Sequence, residues 1–341
     1  MSVSEKLPGI SFVIPTYNAG FHIERCLKSI RAQEYPKELL EILVLDGGSD
    51  DSTVSIATKF DCRILKNEKK LAEFGVQLGI GQANGDLLVV FAADNELVGN
   101  DWAKKVSALF TEDQGLCALW GRLASGKDDS KLNKYFELIQ SDPLNWFLNN
   151  NLARYKKECP SPRGSIFRFQ VNPRQPLVWG ANGLVYRASK IKHIWGQAGY
   201  LGDNDAFQLM LEEGNNSVAY FDSPFVYHHH VARLGDWARK WRRNFSQHLL
   251  SRQETRNMNW VFAGNFKIKL FFWVFYSAIP LISLAHSIYL SIRDKSIYWF
   301  YHPMASFLQL FTYINLIIFD KSGRSFIKRI IFSDKKTGGG I

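Results

Sequence analysis

Several short stretches of this sequence carry side chains whose types and spacing could do chemistry. Asp94 and Glu96 follow the apolar run Leu87-Leu88-Val89-Val90-Phe91, and two carboxylates so close are costly to hold without a counter-ion. Their spacing of two lets alternate residues of an extended segment face one cation. Asp203 and Asp205 repeat that spacing, and Asp203 could also cap the helix expected over Asp205 to Glu213. Asp46 precedes Gly47-Gly48, which puts an acceptor for a nucleobase N–H beside backbone that a ligand can approach closely. A turn with Ser49 and Asp51 as helix caps would explain the same glycines without a ligand. The run Tyr227-His228-His229-His230 offers neutral imidazole, a usable metal ligand. Arg239, Arg242 and Arg243, beside Trp237 and Trp241, could fork onto a phosphate or lie on a solvated or membrane-surface helix.

Strands and helices that alternate must position these groups. Ile10-Ser11-Phe12-Val13-Ile14 reads as a strand, Ile23 to Ile30 as a helix by its spacing, and Ile42-Leu43-Val44-Leu45 as a second strand. A helix near Thr53 to Lys59, a strand Arg63-Ile64-Leu65, a helix from Ala72 to Ala83 and the strand Leu87 to Phe91 continue the pattern. Continuous apolar strands separated by helices imply an α/β domain with a mostly parallel sheet covered on both faces. Ligands bind such sheets at strand C-terminal ends, so Thr16-Tyr17-Asn18, Asp46 to Ser49 and Asp94 to Glu96 are expected in one crevice.

Ile14-Pro15-Thr16-Tyr17-Asn18-Ala19-Gly20, followed by Cys26-Leu27-Lys28-Ser29-Ile30 and Gln33, resembles the opening of glycosyltransferase family 2, which has the Rossmann-like GT-A fold. Val44-Leu45-Asp46-Gly47-Gly48-Ser49-Asp50-Asp51-Ser52-Thr53 is similar to that family's V-D-D-G-S-x-D-x-T signature, with Gly47 replacing its second Asp. The resemblance implies that Pro15, Thr16, Tyr17, Asp46 and Gly48 line a donor nucleotide pocket, and it extends over roughly residues 8 to 250. Phe91-Ala92-Ala93-Asp94-Asn95-Glu96 stands where the family carries its D-x-D metal motif, with Ala92 at the first Asp. Asp94 and Glu96 are therefore the expected ligands of Mg2+ or Mn2+ at the donor phosphates, and His228 matches a family histidine that would complete the site.

Trp179 to Arg187, including Asn182, resembles the family's strand walling the pocket. Gly199-Tyr200-Leu201-Gly202-Asp203-Asn204-Asp205 is similar to its E-D-x-D/E-L motif, with Gly202 in place of the Glu. In that register Asp203 is the catalytic base and Asp205 the fallback. The family's A-R-N-x-G reads Gly75-Val76-Gln77-Leu78-Gly79 here, so a basic residue is missing, and no Q-x-x-R-W motif precedes Trp241. What the family implies is an inverting transferase using a nucleoside-diphosphate sugar and a divalent cation. The substitutions at Ala92 and Gly202 keep open an inactive sugar-nucleotide-binding regulatory subunit. Sugar and acceptor choice is expected in the loops between Gly126 and Pro176.

The chain has 341 residues, 46% of them hydrophobic, enough for a full core. Its net charge of +10 favours an anionic partner. Lys267, Lys269, Lys321, Arg324, Lys328 and Arg329 flank an apolar tail, which points to membrane headgroups rather than nucleic acid. Leu270 to Ile292 and Ser296 to Phe319 are each long enough to cross a bilayer, separated only by Arg293-Asp294-Lys295. The expected organisation is a catalytic domain over 1–250 and a membrane region over 251–341 with a helical hairpin, lying in the interface if it does not span. Basic flanks put both outer ends, and the catalytic domain, on the cytoplasmic side of the cell membrane, with a lipid-linked or glycan acceptor. No charged-then-apolar leader precedes Ile10, and Cys26, Cys62, Cys117 and Cys159 are scattered singly, which suits a reducing cytosol.

Overall fold

In a computed structural model of the protein, residues 7–148, 151–159, 163–175, 177, 182–197, 199–250 and 266–332 are described. They fall into two compact units, Met1–Lys127 with Asn150–His230, and Asp128–Asn149 with Val231–Ile341. Trp179, Gly180 and Ala181, like Gly338-Gly339-Gly340, lie outside the described residues.

Nine strands of the first unit form one sheet: β1 (Ile10–Thr16), β2 (Leu40–Asp46), β3 (Arg63–Lys66), β4 (Leu87–Val90), β5 (Asn95–Leu97), β6 (Ala118–Ala124), β7 (Ile166–Gln170), β8 (Leu184–Arg187) and β9 (Ser217–His228). Their order is β3-β2-β1-β4-β8-β6-β9-β5, and β7 also pairs with β9. The first four are mutually parallel, as the apolar runs predict, and their crossover helices include Ile23–Arg31, Thr53–Lys59 and Ala72–Gln82. Beyond them β8 runs antiparallel to β4 and β6, while β6 and β9 are parallel. By this register β1, β2, β4 and β9 all end at the same edge, the edge that ligands use in such sheets.

The burial of both faces is what the uninterrupted apolar runs require. Every side chain of β4 is buried, and Val13, Leu43, Leu45, Phe207 and Met210 join one core. Gly79 is where the helix Ala72–Gln82 comes closest to that sheet, since a Cβ there would meet Val13 Cγ1 at 2.4 Å and Leu45 Cδ2 at 2.9 Å. The second glycine of the segment Gly75 to Gly79 is thus fixed by helix-on-sheet packing.

In the second unit, Lys131–Ile139, Pro143–Leu148, Leu234–Asn244, Phe266–Ala278, Pro280–Arg293, His302–Phe319 and Lys321–Phe332 are helices. The helix Leu234–Asn244 packs against His302–Phe319, so it belongs with this unit although residue 250 is the division read from the sequence. Ile297–Phe319, of 23 residues and mean hydropathy 1.2, is long and apolar enough to cross a membrane. The other expected span is not one straight helix: Phe266–Ala278 and Pro280–Arg293 meet at 95°. Pro280 is the cause, because its ring replaces an N–H and drives Ile279 to extended backbone, φ −109° and ψ 90°. Inside this unit Tyr135 Oη lies 2.6 Å from His302 Nδ1, and Gln309 donates from Nε2 to Asp142 Oδ1 at 2.8 Å.

Gly79→Ala tests the close approach of helix and sheet. Overpacking of about 1–3 kcal/mol outweighs a helix-propensity gain of about 1 kcal/mol, so the urea midpoint of the variant falls while its m-value is unchanged.

Candidate active site

Two loops at the shared edge are laced into one surface. Gly47 N–H donates to the Thr16 carbonyl at 2.9 Å, Asn18 N–H to Ser49 Oγ at 2.9 Å, and Asp50 N–H to Asn18 Oδ1 at 3.0 Å. Gly20 N–H donates to Asp51 Oδ2 at 2.8 Å, and Ala19 N–H to Thr53 Oγ1 at 2.7 Å. Asp46 closes a turn of its own: it accepts from Gly48 N–H at 3.0 Å, Ser49 N–H at 3.1 Å and the Ser49 hydroxyl at 2.6 Å. A carboxylate offers about four acceptor positions, and with a second, longer contact from Ser49 N–H to Oδ1 at 3.3 Å the turn holds both Asp46 oxygens in place. Gly48 sits at φ +91°, where glycine is the undemanding residue. Thr16 Oγ1 is buried with no hydrogen-bond partner among the described residues, Pro15 is half-buried beside it in β1, and Tyr17 is 60% exposed at the loop tip. Side chains and amides here are preorganised, with an unused hydroxyl behind them.

The second constellation depends on β5 and β9. Asn95 pairs with His228, and His229 N–H donates to the Asp94 carbonyl at 3.0 Å. One ligand atom from each of Asp94, His228 and His230 lies within 4.8 Å of the others, a separation that one ion could bridge. Their donor set, one carboxylate oxygen and two imidazole nitrogens, fits a divalent first-row metal. Asp94 and His228 are thus brought together as the sequence suggests, their closest atoms 3.5 Å apart. Glu96 is not in this group. It faces His229 Nε2 at 3.2 Å and Arg25 Nε at 3.7 Å. The alternation that paired it with Asp94 fails because Asp94 lies in the turn closed by Asn95 N–H on the Ala92 carbonyl at 3.0 Å, before β5 begins. The third member, His230, lies beyond the end of β9 in a tight turn, its N–H donating to the His228 carbonyl at 2.9 Å, which no strand periodicity announces.

Behind this cluster, Cys26 Sγ lies 3.8 Å from the Ala92 carbonyl. Burial, and secondly the charge of Asp94, pushes its thiol well above the ordinary range, so it stays neutral. Asn95 Nδ2 donates to Asn182 Oδ1 at 3.3 Å, which ties the loop before β8 to the turn that carries Asp94.

Asp203 is the first residue of the helix Asp203–Glu212, half-buried, with Gly202 rather than Asp203 as the N-cap. The helix dipole favours its charge there. Burial, and then the nearby charge of Asp203, raises the pKa of Tyr186, which remains a neutral phenol. Asp205 is buried, and its Oδ2 accepts from Gly202 N–H at 3.2 Å. The two carboxylates therefore differ in kind: Asp205 braces the helix start, and Asp203 is the more accessible. Arg239, Arg242 and Arg243 are exposed residues of the second unit, and Arg239 pairs with Asp236. A cleft of about 560 Å³ lined by Phe21, Arg25, Lys28 and Glu96, among others, shares only Glu96 with the residues singled out from the sequence.

Residues 11–174 match the profile of glycosyl transferase family 2. They form a family 2 glycosyltransferase domain. The chain is 37% identical over 91 residues to the dolichyl N-acetyl-alpha-D-glucosaminyl phosphate 3-beta-D-2,3-diacetamido-2,3-dideoxy-beta-D-glucuronosyltransferase of Methanococcus voltae, covering 25% of this chain and 28% of that protein. It is 32% identical over 99 residues to the GalNAc(5)-diNAcBac-PP-undecaprenol beta-1,3-glucosyltransferase of Campylobacter jejuni, covering 27% and 31%. The chain thus matches under a third of the length of either relative. The mannosyltransferase PcManGT of Pyrobaculum calidifontis, solved with GDP-Man and Mn2+, superposes with a TM-score of 0.53 over 93% of this chain and 89% of that one at 14% identity. That likeness is one of fold, and the fold is the GT-A type expected for a family 2 domain.

The division of labour between the two aspartates has a measurable consequence. Asp205→Ala removes the brace on Gly202 and lowers unfolding free energy by about 1 kcal/mol, read as a lower denaturant midpoint, whereas Asp203→Asn forfeits the charge at the helix start and lowers the midpoint less, by about 0.5 kcal/mol.

Proposed function

We propose that the protein is an inverting glycosyltransferase, moving a sugar from a nucleoside-diphosphate sugar to a lipid-linked or surface-glycan acceptor at the cytoplasmic face of a membrane. The observation that carries this reading is the Asp94, His228 and His230 group, set at the same sheet edge as the laced loops of a family 2 domain. Catalysis is assigned to the first unit and attachment to the second. The dolichyl and undecaprenol substrates in the names of the two relatives support a lipid-linked acceptor.

In this reading the base sits against Asp46, Gly48 and the loop of Pro15, Thr16 and Tyr17, with the Thr16 hydroxyl free to turn toward the donor. Asn182, held by Asn95, orients the sugar side of the pocket. Asp203 takes the acceptor proton as the acceptor oxygen attacks the anomeric carbon, from its place at a helix N-terminus. A divalent cation held by Asp94, His228 and His230 would neutralise the departing diphosphate. Two imidazoles beside one carboxylate favour Mn2+ over Mg2+, which prefers an oxygen shell. Arg239, Arg242 and Arg243, in the second unit, supply guanidinium groups suited to phosphate. Ala92 and Gly202, where the family carries carboxylates, favour a second reading as an inactive donor-binding subunit.

Two measurements separate these readings. Nucleotide release from UDP-, GDP- and dTDP-sugars in the presence of membrane lipid extract is expected with one donor, and Asp203→Asn lowers it by about 10²–10⁴-fold, the usual worth of a positioned base; donor binding with no turnover in either protein selects the inactive subunit. Separately, calorimetric titration with metal alone shows Mn2+ bound more tightly than Mg2+, and His230→Ala weakens Mn2+ by more than about tenfold, or about 1.4 kcal/mol. Unchanged affinity in that variant removes His230 from the site.

A further inference from the structure

The second unit is inverted in polarity. Ser277, Ser283, Ser287, His302, Ser306 and Gln309 are fully buried in it. Large apolar side chains face outward, and on His302–Phe319 they follow a strict pattern. Met304, Phe307, Phe311, Ile314 and Ile318, with Phe300 ahead of them, recur at alternating steps of three and four and are 38% to 58% exposed. Such spacing draws a single stripe along one face of a helix.

The opposite face is occupied by this unit's own polar elements. Gln309, near the middle of the helix, accepts from Leu144 N–H at 2.9 Å and donates to Asp142. The helix Leu234–Asn244 packs on the same helix and leaves Arg239, Arg242 and Arg243 exposed. A crossing of the hydrocarbon by Ile297–Phe319 would carry those guanidinium groups and Asp142 with it, which the bilayer core opposes.

The bent pair points the same way. Its helices have 13 and 14 residues, each no more than about 21 Å long, against a hydrocarbon core of about 30 Å. Both helices turn apolar side chains outward, among them Phe271, Phe275, Leu281, Ile288 and Ile292. At the ends of this pair and just after His302–Phe319 stand the exposed Lys269, Lys295, Lys321 and Arg324, with Arg293 paired to Asp294. That rim complements anionic headgroups, whereas a second copy of this chain would set like charges against it.

We infer that the second unit is a monotopic membrane platform, whose stripe and bent helix pair lie in one leaflet of an anionic bilayer while no described helix crosses it. The connection Arg293-Asp294-Lys295 then stays on the same side of the bilayer as the first unit. This differs from the hairpin read from the sequence, in which that connection is on the far side.

The test uses the full chain added to the outside of preformed vesicles. It is expected to float with phosphatidylglycerol vesicles and to bind them at least tenfold better than pure phosphatidylcholine. Phe307→Glu with Phe311→Glu abolishes flotation at an unchanged thermal midpoint, and the milder Phe311→Ser weakens it should the double variant not fold. On floated protein, an impermeant maleimide polymer modifies Lys295→Cys as fully as Lys131→Cys, above the background of the native cysteines. Protection of Lys295→Cys until detergent is added would show a crossing and overturn the inference. Failure of the wild type to float, or flotation of folded glutamate variants, overturns it equally. None of these readouts depends on sugar transfer.

Discussion

The group of Asp94 and two imidazoles rests on a three-residue strand pairing. β5 and β9 are distant in sequence, and their ladder, extended by His229 N–H on the Asp94 carbonyl, brings the turn after β4 against the end of β9. From that ladder Asp94 meets two imidazoles, Glu96 meets His229, and Asn95 reaches Asn182. Short strands hold little on their own. Here the pairing is backed by burial of Asn95 and His228 and by the contact of Leu97 N–H with Ser29 Oγ at 3.0 Å. Parallel strands supply the frame, and the antiparallel pairing at its far edge brings Asp94, His228 and His230 together.

The parallel half of the sheet was legible because its signal is local. Runs such as Phe12-Val13-Ile14 and Leu43-Val44-Leu45 admit few other folds when helices separate them, and the residues just after each strand fall at the expected edge. The site was legible in part. Asp94 and His228 carry a family pattern, but Glu96 was misplaced because a rule for extended backbone was applied across a turn. His230 was ranked below His228, and its place in a turn just past β9 has no periodic signal. Neither Thr16 Oγ1 nor the tie between Asn95 and Asn182 has a sequence signature, since each depends on which residues the fold makes neighbours.

In the tail, counting apolar residues found the right length and the wrong shape. Pro280 interrupts what composition alone reads as one segment, and the serines, histidine and glutamine that dilute its apolar character turn out to face inward. Hydropathy averages over a helix cannot separate an apolar circumference from an apolar stripe. Side-chain direction can, and it is set here by Gln309 and His302 reaching partners in the stretch 128–149.

That stretch has a consequence for how the chain is made. Residues 128–149 leave the ribosome well before their partners: Tyr135 and Asp142 each wait 167 residues, for His302 and Gln309 respectively. At the usual elongation rate of about 5–20 residues per second, that is roughly 10–30 seconds. Over the same interval β7, β8 and β9 are synthesised and the sheet of the first unit can close. The stretch that completes the second unit is therefore synthesised inside the sequence of the first one, and its packing against His302–Phe319 comes only after the enclosing sequence has been made.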